Sequence, residues 1–271
     1  MTKLRVGVQL GPQHTTYNAY AQAVREVEAL GVDTIWNWDH FMPPFFGEPP
    51  QKSEADPPPY GNHFEAWTLL TAMATLTHRA EIGCLVTCNS YRNPALLANM
   101  AKTVDHISGG RVILGLGSGW FEPDYLEYGY SFGSAGERLR ALETALPVIK
   151  QHWAEDAPLP IRSTIPILIG GDGERVTLRL TAQYADMWNS GAEPEEYKRK
   201  CTVLDTWCDK VGRQPTAIER TLNIYGEPTM ATYDDYVAVG VQHIILNVGS
   251  PWDLSSVEQL VQWRDSRQAS L

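Results

Sequence analysis

The feature that most constrains this chain is an alternation of strand-like and helix-like runs that repeats eight times. The strand-like runs are LRVGVQL (4–10), TIWNW (34–38), EIGCLVT (81–87), RVILGLG (111–117), PILIG (166–170), ADMWN (185–189), a run near 219–225, and HIILNV (243–248). Helical periodicity follows each of them, over 17–30, 64–77, 94–108, 135–153, 174–184, 195–211, 232–239 and 255–266. Gly31 and the Gly109–Gly110 pair stand where helices stop. Such alternation implies a parallel sheet covered by helices. Eight units in 271 residues favour a closed (β/α)8 TIM barrel over an open doubly wound sheet. The expected organisation is an α/β single domain over residues 1–271. A long proline-rich loop follows the second strand, with prolines at 43, 44, 49, 50, 57, 58 and 59. It is a candidate lid.

Charge and composition narrow the partners. The formal net charge is −10 and no basic run is present, which argues against nucleic acid and anionic membrane surfaces. No apolar run reaches the roughly 18 residues of a membrane span. The chain enters a strand pattern directly, without an apolar leader core, so a cytoplasmic location is expected. Cys84 and Cys88 on one strand, and Cys201 and Cys208 on one helix, lie too far apart for disulfides and are expected to be reduced. The histidines show no metal-ligand spacing.

In a (β/α)8 barrel the chemistry sits where the strands end. The second strand, DTIWNWDHF, ends in Asp39 and His40, a carboxylate beside an imidazole. The third leads into TCNSYRNP, with Thr87, Asn89 and Arg92 at the rim. The fourth leads into GLGSGWFEPDY, where Gly115, Gly117 and Gly119 suggest either a sharp turn or a wall against a flat ring. The GxGxG spacing is not the dinucleotide fingerprint GxGxxG. The fifth leads into IGGDGERVTLRL, where Gly170, Gly171, Asp172 and Gly173 precede a helix whose free N–H groups suit phosphate. The sixth ends in Trp188 and Asn189, expected to line the same groove.

Together DTIWNWDHF, VTCNSYRNPALLANMAKTVDHISGGRVILGLGSGWFEPDY, ILIGGDGERVTLRLTAQYADMWN and VGVQHIILNV resemble the bacterial luciferase-like monooxygenase superfamily. More narrowly they resemble its deazaflavin branch, the oxidoreductases that use coenzyme F420. The resemblance implies a luciferase-like barrel with the ring in its mouth and Asp39 and His40 beside the ring. It implies a non-prolyl cis peptide in the third strand, at Leu85–Val86 by position or, as the second choice, at Cys84–Leu85, whose bulge supports the ring. The cofactor phosphate is then expected near Gly170 and Gly171, and Thr87, Asn89, Gly117, Gly119 and Asn189 around the ring and its side chain. A homodimer is also implied, as is a small-molecule substrate.

The chain departs from the sugar-phosphate dehydrogenases of that branch. Pro43 and Pro44 stand where they carry a tryptophan, Gln13 where they use a carboxylate, and Trp120, with Glu122 two on, where they use a second one. Sugar-phosphate oxidation is therefore not expected. The expected substrate pocket is less polar, flanked by Gln13, Phe41, Trp120, Phe121, Glu122 and Tyr125. The expected chemistry is hydride transfer at the deazaflavin C5, in the direction that reduces an activated C=C or C=N bond. His40 would exchange the proton, and Asp39 would set its tautomer or hold the cofactor's polar edge. An FMN-dependent monooxygenase on the same barrel is the alternative.

Overall fold

The computed structural model describes residues 4–45, 61–226 and 230–269. The strands are β1 (Arg5–Leu10), β2 (Thr34–Asn37), β3 (Glu81–Cys84), β4 (Thr87–Cys88), β5 (Val112–Gly117), β6 (Ile167–Gly170), β7 (Met187–Ser190), β8 (Glu219–Ile224) and β9 (His243–Val248). The helices are α1 (Tyr17–Leu30), α2 (Ala66–Leu76), α3 (Pro94–Ser108), α4 (Glu122–Glu127), α5 (Ala135–Glu155), α6 (Thr177–Tyr184), α7 (Pro194–Val211), α8 (Met230–Ala238) and α9 (Ser255–Ala269).

Every strand pairing is parallel, and the ring of neighbours closes where β3 pairs with β5. β3 and β4 are two halves of one strand, parted at Leu85 and Val86. The result is the closed eight-stranded TIM barrel that the alternation implies. Most of the proline-rich loop after β2, residues 46–60, lies outside the described residues.

Local chemistry explains the regular elements. The Asn93 side chain accepts from the Ala95 and Leu96 backbone N–H groups, Pro94 opens α3, and Gly109 closes it in the left-handed region. Thr16 caps α1, which ends at Gly31 with φ 94°. The strands separate two apolar layers by their period of two. Trp36, Leu85, Ile113, Leu168, Met187 and Ile245 fill the barrel interior. Their neighbours along each strand, such as Ile35, Leu114 and Trp188, pack outward under the helices.

The N-terminal end of the barrel is closed by polar groups. Arg5 binds Glu219 at 3.0 Å and also Glu81, and Arg162 binds Glu81 at 2.5 Å. Above them the Trp36 indole donates to Thr34 Oγ1 at 2.7 Å, and Thr34 meets His243 Nε2 at 2.9 Å. The core is therefore sealed below by these polar groups.

Candidate active site

At the C-terminal end the strands surround a cavity of about 520 Å³. That volume suits a drug-sized ligand. Gln9, Gln13, Trp38, Asp39, His40, Leu85, Val86, Gly117, Gly119, Trp120, Gly170, Gly171 and Asn189 are among the residues that line it. No lysine or arginine does so among the described residues.

One wall is the break between β3 and β4. The Leu85–Val86 peptide is cis, at the position the resemblance implies. Val86 is carried into the cavity, and two glycines make room for it. A Cβ at Gly117 would lie 2.6 Å from Val86 Cγ2, and one at Gly170 would lie 2.9 Å from Val86 Cγ1. Part of the glycine pattern thus seats a side chain of the protein itself.

The floor is a set of amides. Gln9 Nε2 donates to the Leu85 carbonyl at 2.5 Å, so its Oε1 faces the other way. There it accepts from Asn223 Nδ2 at 2.7 Å and Asn247 Nδ2 at 3.0 Å. A backbone carbonyl cannot turn around, so it dictates the orientation of all three amides. Asn223 Oδ1 is left as a buried acceptor without a protein partner, as are Gln13 Oε1 and, as a donor, Trp38 Nε1. Buried polar atoms without partners are costly, and three of them around one cavity fit a polar-edged ligand.

Asp39 and His40 are adjacent in sequence but have separate partners. Asp39 is buried and binds Arg92 through both oxygens, at 2.6 and 3.0 Å. It also accepts the Cys88 backbone N–H at 3.0 Å. Burial pushes its carboxyl above the ordinary range, and the Arg92 guanidinium pulls it back. Asp39 therefore does not orient His40. That role of the sequence reading is corrected by the geometry.

The partner of His40 is Asp124, on α4. His40 Nδ1 lies 2.7 Å from Asp124 Oδ2, within hydrogen-bond distance. Tyr91 Oη donates to the same oxygen at 2.9 Å, and the Phe41 and Met42 backbone N–H groups reach Oδ1 at 3.0 and 3.2 Å. Trp120 and Phe121 meet the imidazole edge-on, with ring centroids 5.6 and 5.4 Å away. Nε2 has no protein partner among the described residues.

Several expected site residues lie elsewhere. Trp188 faces outward by strand alternation, donates from Nε1 to the Gly171 carbonyl at 3.0 Å, and packs on Tyr197. Phe41 is stacked on Tyr91 with centroids 4.4 Å apart. Phe121 and Tyr125 are buried, and Glu122 is an exposed residue at the start of α4. Tyr125 Oη meets Cys88 Sγ at 3.1 Å, and burial pushes that thiol up to about 11, so it stays protonated at neutral pH. Of the expected substrate pocket, only Gln13 and Trp120 line the cavity. Thr87 and Asn89 are buried at the break, each with a side-chain oxygen lacking a partner.

The glycine loop after β6 also differs from the expected form. Gly170 and Gly171 line the cavity, Gly171 with φ 122°. α6 starts only at Thr177, so a turn separates its N-terminus from the glycines. The Asp172 backbone carbonyl accepts from Lys200 Nζ at 3.0 Å. Sequence reasoning missed Gln9, Asn223, Asn247, Tyr225 and Asp124. Gln9 and Asn247 had a signal, an amide at an inward position of a mainly apolar strand.

A family model described as luciferase-like monooxygenase matches residues 1–226. An F420-dependent glucose-6-phosphate dehydrogenase of Amycolatopsis mediterranei is 29% identical over 154 residues, covering 56% of this chain and 43% of that protein. A phthiodiolone/phenolphthiodiolone dimycocerosates ketoreductase of Mycobacterium bovis is 29% identical over 216 residues, covering 70% and 55%. The chain thus spans only about half the length of these relatives. Among solved structures, an F420-dependent secondary alcohol dehydrogenase in complex with an F420-acetone adduct superposes with TM-score 0.80 at 16% identity, over 96% of this chain and 98% of that one. At that identity the likeness is one of fold.

Proposed function

The chain belongs to the luciferase-like monooxygenase family, and from that membership we propose that it is an F420-dependent oxidoreductase acting on a small, uncharged substrate. The observation that carries the reading is His40, held at Nδ1 by a buried carboxylate with Nε2 open to a cavity. The names of the dehydrogenase relative and the alcohol dehydrogenase neighbour support F420 as the cofactor.

The cavity fits a deazaflavin ring on the chain's own features. Val86 offers a wall, Asn189 and Gly171 line the space beside it, and three unpartnered polar atoms await a polar edge. When bound, the deazaflavin supplies hydride chemistry at C5. His40 holds or moves the substrate proton at Nε2. Trp120, Pro44 and Tyr225 line the same cavity as His40. The absence of lysine and arginine from the described lining favours an uncharged substrate over a sugar phosphate, and reduction of an activated C=C or C=N bond fits it.

The test is titration with F420, FMN and NADPH in turn, followed by fluorescence. Micromolar F420 binding with weaker FMN binding is expected. FMN binding a hundredfold tighter than F420 would instead support a monooxygenase on the same barrel.

A further inference from the structure

We propose that Asp124 is the positioning residue of His40, fixing the imidazole in its Nδ1–H tautomer so that Nε2 is the atom that exchanges protons in the cavity. The proposal rests on the reading of His40 as the proton carrier.

Asp124 is fully buried, with four polar contacts on its two oxygens: the Phe41 and Met42 N–H groups, Tyr91 Oη and His40 Nδ1. Two of the four are the backbone N–H groups of Phe41 and Met42, at 3.0 and 3.2 Å from Oδ1. A backbone N–H has no acceptor form, so Oδ1 must accept. Oδ2 faces Tyr91 Oη and His40 Nδ1. As a carboxylate oxygen it can only accept, so Nδ1 must carry the proton that points at it. Nε2 is then the bare nitrogen on the cavity side.

Asp39, the neighbour in sequence, is engaged by other groups. Oδ1 is held by Arg92, and Oδ2 by Arg92 and the Cys88 N–H. Two edge-on aromatic rings, Trp120 and Phe121, limit the swing of the imidazole, so its orientation and its tautomer are set by different contacts.

The arrangement makes the effect of Asp124→Asn specific. The two backbone N–H groups claim the amide oxygen at the Oδ1 position. The amide NH2 must then take the Oδ2 position and face His40 Nδ1. A donor now meets Nδ1, so Nδ1 becomes the acceptor and the proton moves to Nε2. The variant keeps nearly the same shape and reverses the tautomer. A carboxylate that only held the loop in place would produce no such reversal.

The experiment is nitrogen NMR of the purified protein labelled with 15N-histidine, at a pH well above the ordinary histidine value of about 6.5. The His40 signals are assigned by difference against His40→Gln. The parent should show a protonated Nδ1 and a bare Nε2, and Asp124→Asn should show the reverse. Tyr91→Phe removes only the second donor on Oδ2 and should keep the parent tautomer. A parent protein with its proton on Nε2 overturns the proposal, whether or not Asp124→Asn folds. A folded Asp124→Asn that keeps the parent tautomer overturns it too. No cofactor enters the measurement, so failure to bind F420 and failure of this proposal are separate results.

Discussion

Arg92 grips Asp39 through both carboxylate oxygens, at 2.6 and 3.0 Å, where Asp39 is shut off from solvent. The same guanidinium reaches Glu65 Oε1 at 2.5 Å. The pair joins the end of β2 to the turn after β4, on either side of the cavity wall. Removing one member of a buried ion pair leaves the other uncompensated, at a cost of about 3–5 kcal/mol. Arg92→Ala should therefore lower stability by about that amount in urea unfolding. Asp39→Asn should cost less, because Arg92 keeps Glu65. A loss below about 1 kcal/mol for Arg92→Ala would show that the pair does not brace the wall.

His40→Ala should lower turnover by roughly 10²–10⁴-fold, the ordinary share of general acid–base catalysis. Cofactor affinity should change far less, because the glycines and amides that line the cavity lie on other strands. Stopped-flow rates and dissociation constants measured on one preparation check both halves. Turnover within threefold of the parent would remove His40 from proton transfer.

Gly119 and Gly129 form a controlled pair. Both have positive φ, 81° and 73°. A Cβ at Gly119 would lie 2.0 Å from Tyr125 Oη and 2.7 Å from Cys88 Sγ, whereas Gly129 has nothing within 4 Å. Gly129→Ala should cost about 1 kcal/mol of backbone strain alone. Gly119→Ala adds overpacking of about 1–3 kcal/mol and should disturb the wall beside His40. Equal melting shifts for the two variants would contradict the packing argument.

His63 carries a pH dependence of stability. Burial, with the nearby His40 adding to it, pushes its imidazole down to about 4. Both of its ring nitrogens are buried without a partner. Between about 6.5 and about 4 the unfolded chain is protonated at this residue and the folded one is not. Unfolding then takes up protons, so stability rises with pH across that window and is lost as pH falls through it. Chemical unfolding of the parent and of His63→Phe at several pH values measures the effect. The variant should show a flatter acid limb, and identical limbs would exclude His63 as the source.

The regular elements were legible in the sequence because their signals are local. α1 and α3 run to the residue before Gly31 and Gly109, as the apolar period and the glycines imply. What was not legible depends on pairing across the barrel. The third strand reads as continuous over 81–87 by its own pattern; its break is implied only by the family resemblance, and its reason shows in what Val86 meets on β5 and β6. α4 is six residues long and follows a glycine-rich turn, so its pattern is too short to stand out. Asp124 reads as one of two acids in EPDY, since nothing local says that it faces a histidine 84 positions earlier. Trp188 was placed in the groove by its nearness to Asn189, whereas the period of two sends adjacent strand residues to opposite faces.

That histidine and its carboxylate come from different loops has a consequence for recombining such barrels. A graft of the β2 loop alone would carry His40 into a host that must already hold an acid at the start of a short helix after its fourth strand. A graft of the loop after β5 alone would carry Asp124 to a site with no imidazole and leave it buried with only backbone donors and a tyrosine. The two loops are one inheritable unit, although 84 positions separate their key residues. Chimaeras should keep proton chemistry when the loops are exchanged together and lose it when either is exchanged alone.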